Sequence, residues 1–247
     1  MAGEARGAAS VLEELRGAER PALVLLGAPA AGPGEAALEG AAVPGTVAIL
    51  SGSFDPPTVG HLALAEAAAA EADLVLLVYS ARTLPKDPGA PPPLLPEEAR
   101  VEALRALAAG RPWLRAALCS HGLLAEQARA AADRFPGARL LLAMGSDKAL
   151  QLLDPRWYED RDRTLDELFA LAEVRYAVRA GDEGRVEAAL AEPANARWRG
   201  RFRRLELPPG AAPVSSRAVR EALRGGRPVG ALVPPEVLPV LERARRV

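Results

Sequence analysis

The 247-residue sequence predicts a doubly wound α/β fold, a mostly parallel, Rossmann-like sheet with helices on both faces. Three observations carry that expectation. Short apolar runs alternate with helix-forming stretches, beginning with "TVAIL" at 46–50 and "HLALAEAAAAEA" at 61–72. Most runs lack a polar face, as strands buried on both sides of a parallel sheet do. The chain is 49% hydrophobic and 26% charged, the balance of a globular protein rather than a disordered one.

Taken in order, strands are predicted over 46–50, 74–79, 114–119, 139–143, 174–178 and 202–207. Helices are predicted over 61–72, 96–109, 123–134, 147–153, 164–172, 216–224 and 235–246. In 96–109, Val101, Leu104 and Ala108 recur at helical spacing with Glu97, Glu98, Arg100 and Arg105 between them. "DPGAPPPLLP" (87–96) is too rich in proline for a helix or a central strand and reads as a loop. Before residue 46, "SVLEELRGAE" reads as a short helix and "PALVLLGAP" as a strand, followed by a run rich in glycine and alanine. No Gly-Lys-Ser/Thr follows those glycines, so they are not a P-loop. Residues 1–45 are therefore expected to form an N-terminal appendage and linker, and 46–247 the main domain.

Composition narrows the function classes. A net charge of −1 gives no whole-protein reason to expect nucleic acid or an anionic membrane as a partner. The single cysteine, Cys119, excludes an internal disulfide and is expected to pack as a small hydrophobe. No apolar run is long enough to span a membrane and the N-terminus lacks an export pattern, so a cytoplasmic location is expected. The charge is uneven: residues 195–247 hold twelve arginines against four glutamates. Either general arginine usage (Lys86 and Lys148 are the two lysines) or a polyanion site accounts for it.

"SGSFDPPTVGH" (51–61) carries one of the two histidines. A strand ending at Leu50, a turn through Gly52 and a helix starting near His61 leave backbone N–H groups at a crevice. Such a helix start suits an anion. Gly52 and Gly60 permit close backbone approach, and Pro56 and Pro57 stiffen the loop. Thr58 and His61, three apart, are expected on one face, either gripping phosphates with the imidazole as a donor or, in a loop that merely joins strand to helix, capping the helix.

"GSFDPPTVGH" resembles the G-x-F-D/N-P-x-H/T-x-G-H signature of the nucleotidylyltransferase superfamily. "MGSDKALQLLDPRWYED…LFALAEVRYAVR" (144–179) resembles the G-x-D, Trp and V-x-x-R block of the nicotinate and nicotinamide mononucleotide adenylyltransferases. "APVSSRAVREALRGGRPVGALVPPEVLPVLER" (212–243) resembles their I-S-S-T-x-I-R motif and closing helix, and "LPKDPGAPPPLLPEEARVEALRALA" their lysine loop. The likeness covers residues 46–244 in family order.

The resemblance implies transfer of the adenylyl group of ATP to a pyridine mononucleotide, with pyrophosphate released. It implies that His61 and Thr58 contact the ATP phosphates, with Gly52, Ser53 and Phe54 lining the loop. Ser215, Ser216 and Arg220 would hold the β and γ phosphates. Gly145 would lie in the binding site, with Asp147 on the ATP ribose and Arg179 near the triphosphate. Trp157 would stack on the pyridine ring, and Lys86 would be a mobile basic residue. Mg²⁺ would be bound mainly through the phosphates, with no protein metal ligands. His121 is read as structural.

Three departures from the family pattern stand out. Thr58 replaces the histidine usual in bacterial nicotinate enzymes, and Ser120-His121-Gly122 replaces Ser-Tyr-Thr in the loop that reads the pyridine substituent. Arg217 replaces a motif threonine. The loop change leaves nicotinate and nicotinamide as open alternatives, with weak discrimination expected. Two other readings are a sister transferase acting on phosphopantetheine or using CTP, and a catalytically silent nucleotide-binding relative.

Overall fold

A computed structural model describes residues 7–27, 43–82, 92–178, 181–208, 211 and 214–245. Its centre is a sheet of seven strands: β1 (Leu23–Leu25), β2 (Thr46–Ser51), β3 (Leu74–Ser80), β4 (Leu114–Cys119), β5 (Arg139–Gly145), β6 (Ala172–Ala177) and β7 (Phe202–Leu205). They lie in the order β1-β4-β3-β2-β5-β6-β7, all parallel except β1, which pairs antiparallel with β4 at the edge. From β2 the chain builds outward through β3 and β4, then restarts at β5 on the other side. The order therefore reverses between β2 and β5, where such sheets open a crevice beyond the carboxyl ends of the strands.

The helices are α1 (Ala8–Gly17), α2 (Val59–Ala69), α3 (Glu97–Ala108), α4 (Leu124–Arg134), α5 (Ser146–Leu153), α6 (Arg161–Leu171), α7 (Arg185–Ala191), α8 (Ser216–Arg224) and α9 (Leu238–Ala244). Alternate strand residues divide the core. Ala48 and Leu50 of β2 face a layer with buried residues of α1, α2, α3, α8 and α9. Val47 and Ile49 face a second layer built on α4, α5, α6 and α7. Helices on both faces explain why the strands read as continuous apolar runs, β3 being buried from Leu74 to Tyr79.

The N-terminal segment corrects the expectation of an appendage. The apolar face of α1 buries Val11, Leu12 and Leu15 in the common core, and β1 buries Leu23 and Leu25. Leu23, Val24 and Leu25 pair with Cys119, Leu118 and Ala117, covering an otherwise open edge of β4. The glycine-rich 27–45 disguises this: a strand followed by low-complexity sequence looks detached from the domain. Elsewhere the boundaries shift for local reasons. Helix α6 starts at Arg161 because the Asp160 carboxylate accepts the Arg163 N–H at 3.0 Å. Helix α9 starts only at Leu238 because Pro239, lacking an N–H, is tolerated in a first turn and not in a helix interior. The short α7 is not among the predicted helices.

Candidate active site

At the carboxyl end of β2 the chain turns through Gly52 into α2. Thr58 is the N-cap of that helix and His61 its third residue, and the two form a reciprocal capping box. The Thr58 N–H donates to His61 Nδ1 at 3.0 Å, and the His61 N–H donates to Thr58 Oγ1 at 3.3 Å. An accepting Nδ1 leaves the imidazole hydrogen on Nε2, so the neutral ring is a donor through that atom. Phe54, fully buried beneath the loop, sits 5.1 Å from the imidazole, ring centre to ring centre, at 57°. Its φ of 44° lies in the left-handed region, a strained conformation that its packing imposes and that recurs at functional loops. Ser53 is exposed on the same loop.

Two helix starts meet at this point. A Cβ added to Gly60 would lie 2.6 Å from the Val214 carbonyl oxygen, so only glycine lets the start of α2 approach the segment leading into α8. His61, Gly60, Gly145, Val178 and Val214 line one small crevice there. Ser215 caps α8, its Oγ accepting the Ala218 N–H at 3.2 Å. Ser216 Oγ donates to the Pro56 carbonyl at 2.8 Å, and Arg220 donates to the Asp55 carbonyl at 2.8 Å. The Asp55 carboxylate is 2% exposed and accepts the Leu94 and Leu95 N–H groups at 3.0 and 2.8 Å. It also lies 3.5 Å from Arg220 and 3.8 Å from the buried Arg100. Asp55 thus fixes the loop, the start of α3 and the α8 arginine against one another.

A cavity of about 330 Å³ lies between α4, α5 and α6. Trp157, on a 3₁₀ turn whose N-cap Asp154 accepts the Arg156 N–H at 3.0 Å, stands 52% exposed on its wall. Leu123, exposed too, lines it with Tyr158, whose hydroxyl is tied to the Leu152 carbonyl at 2.8 Å. Lys148 in the first turn of α5 lines the same cavity and donates to the Ser51 carbonyl at 3.3 Å. Burial lowers the Lys148 pKa, against the neighbouring Asp147 carboxylate, which raises it. Asp147 itself is exposed. An open aromatic face in one cavity with a lysine can hold a flat ring whose tail carries negative charge.

Two hydroxyls expected from the sequence to meet phosphates are hydrogen-bonded within the protein. Thr58 is fully buried. Its Oγ1 lies 2.8 Å from both His61 Nδ1 and the Val214 carbonyl, which compete for its one hydrogen, so the hydroxyl is committed within the protein beside the imidazole. The Ser216 hydroxyl is likewise committed to the loop, through its bond to the Pro56 carbonyl. Lys86 and Arg179 lie outside the described residues. Asp55 and Lys148 escape the sequence reading. Asp55 stands at the D/N position of the signature, but its partners lie 39 to 165 residues away, so its role is not legible from the motif; the scarcity of lysine is a usable signal for Lys148. As expected, Cys119 is a buried free thiol. His121 is structural: Arg82 lies 2.9 Å from its Nε2 and donates to the Arg16 and Ala18 carbonyls, while its Nδ1 lies 2.7 Å from Ser120 Oγ.

A sequence model described as cytidylyltransferase-like matches residues 49–222. The chain belongs to that nucleotidylyltransferase family. The match spans β2 to α8, the elements that bring the His61 loop and Arg220 together. Two relatives are similar to this nucleotidyltransferase, both named probable nicotinate-nucleotide adenylyltransferase. The one from Laribacter hongkongensis is 34% identical over 209 residues, 76% of this chain and 88% of the relative. The one from Rubrobacter xylanophilus is 29% identical over 151 residues, 58% and 68% of the two chains. Among the described residues no helix is long and apolar enough to cross a membrane.

Proposed function

We propose that this nucleotidyltransferase joins ATP to nicotinate mononucleotide or its amide, making the corresponding dinucleotide. The observation that carries the reading is Trp157, an exposed aromatic on a cavity whose Lys148 reaches the Ser51 carbonyl at the start of the His61 loop. The names of the relatives support the same substrate class. A phosphate oxygen of the mononucleotide forms a bond to the α-phosphorus of ATP. The bond from that phosphorus to the bridging oxygen breaks, and pyrophosphate leaves with its electron pair. No covalent enzyme intermediate is needed, so the protein acts by positioning and by neutralising charge. His61 Nε2–H donates to phosphate oxygens as charge builds on them. Arg220, held by Asp55, and the N–H groups at the start of α8 receive the β and γ phosphates. Gly145 lets the chain pass close to the nucleotide, and Asp147 meets the ATP ribose.

Mg²⁺ fits this site as an ion carried on the triphosphate, where it supplies further charge neutralisation. Among the described residues no three metal-ligating side chains cluster, and the buried Asp55 carboxylate is already occupied by N–H donors. The reaction takes place in the cytoplasm and uses no nucleic acid. Pyrophosphate release from Mg-ATP with nicotinate mononucleotide, nicotinamide mononucleotide or phosphopantetheine tests the reading, with CTP replacing ATP as a fourth arm. Release with the pyridine mononucleotides is expected; release only with phosphopantetheine or CTP, or none at all, refutes it.

A further inference from the structure

Lys148 stands where the Trp157 cavity meets the His61 loop. Its Nζ donates to the carbonyl of Ser51, the last residue of β2 and the one before Gly52, while its side chain lines the cavity. The bond to the strand end holds the ammonium on the β2 side of the cavity. A mononucleotide with its ring against Trp157 and its phosphate directed at the ATP α-phosphorus has to cross that junction. We propose that Lys148 binds the 5′-phosphate of the incoming pyridine mononucleotide and holds it for attack. This rests on the proposed function. One of the three ammonium N–H groups goes to Ser51 and fixes the head; the others meet phosphate oxygens. The cation also screens the incoming phosphate from the triphosphate, which two like-charged reactants require. Its partial burial, which lowers its pKa, strengthens the interaction once a dianion arrives.

The test compares wild type with Lys148→Met and Lys148→Arg. Calorimetry gives the Kd of nicotinate mononucleotide, nicotinamide mononucleotide and nicotinate riboside, the last lacking the phosphate. Steady-state kinetics gives KM for ATP, and thermal melts check folding, with Lys148→Gln substituted if the methionine variant does not fold. Lys148→Met is expected to weaken both mononucleotides about ten- to a hundredfold, as loss of a hydrogen bond to a charged group does. The riboside Kd and the ATP KM are expected to move less than about twofold, and arginine to retain most of the affinity. An equal loss for riboside and mononucleotide would mean that Lys148 only shapes the cavity and would overturn the inference. A loss confined to nicotinate mononucleotide would overturn it too, assigning Lys148 to the ring carboxylate, as would unchanged binding of both. If wild type itself releases no pyrophosphate with either mononucleotide, the proposed function falls and takes this inference with it. Turnover by wild type with unaltered binding by Lys148→Met removes this inference alone.

Discussion

His61 is tied into the fold and, on the proposed function, used in the reaction: Nδ1 accepts the Thr58 N–H and closes the first turn of α2, which puts the ring hydrogen on Nε2. Substitution therefore touches stability and turnover together, and the two can be pulled apart. His61→Ala is expected to lower kcat about a hundred- to a thousandfold, the cost of one preorganised donor. It also leaves the Thr58 N–H without its imidazole acceptor, a loss of about 0.5–1.5 kcal/mol, which in a chain of this size lowers Tm by roughly 2–4 °C per kcal/mol. His61→Glu rebuilds a Thr-x-x-Glu capping box, so its melt is expected near wild type. Its carboxylate would nonetheless repel phosphates, and turnover is expected to fall at least as far as in the alanine variant. Kinetics and melts on the pair decide the matter, and a glutamate variant with normal turnover would remove His61 from the phosphate site.

Between β1 and β4 the decisive contacts are those the glycine-rich run conceals. The Ala22 N–H donates to Ser120 Oγ at 2.8 Å and the Ser120 N–H returns to the Ala22 carbonyl at 3.0 Å, so the N-terminal segment holds the loop that leads into the Trp157 cavity. A chain beginning at Val43 loses that tie, the β1 pairing, and the burial of Val11, Leu12, Leu15, Leu23, Leu25 and Leu26. At roughly 1.5–3 kcal/mol for each side chain, the loss rivals the ~5–15 kcal/mol that separates folded from unfolded domains. The shortened chain is expected to be insoluble or to melt far below the full one, measured by soluble yield and thermal melts; a Tm within a few degrees would restore the appendage reading. The six parallel strands and the order of motifs are legible because each rests on a local pattern: an apolar run, a cap, a glycine-rich turn. Helix α1 and β1 show such patterns too, but the sheet they join is set by β4, some 90 residues on. The same holds at the site, where the role of Thr58 depends on Val214 and that of Arg220 on Asp55.

An ionic tie lies at the end of the sheet away from the His61 loop. Near the amino ends of β5 and β6, Glu173 accepts from Arg139 at 2.8 and 3.2 Å and from the fully buried Arg175 at 3.1 Å, while Arg175 also pairs with Glu71 at 2.8 Å. The hydrogen bond from Arg139, with help from Arg175 and against partial burial, holds the Glu173 carboxyl down to about 2 from its ordinary 4.5. A depressed carboxyl favours the folded state above the unfolded pKa, and that contribution disappears as pH falls through the folded one. Stability is therefore expected to drop between about pH 4.5 and 2, in part because Glu173 takes up a proton. Glu173→Gln, which leaves buried Arg175 with one carboxylate, is expected to cost roughly 1.5–3 kcal/mol at neutral pH, as for hydrogen bonds to a charged group. Its melting temperature should converge on wild type as the pH falls through that window. Because the His61 loop and the Trp157 cavity lie beyond the other ends of the strands, kcat at neutral pH and a temperature well below both melts should be unchanged. Melts from pH 7 to 2 on the two proteins make the comparison, and a gap that stays constant across the range would show that Glu173 does not carry this acid sensitivity.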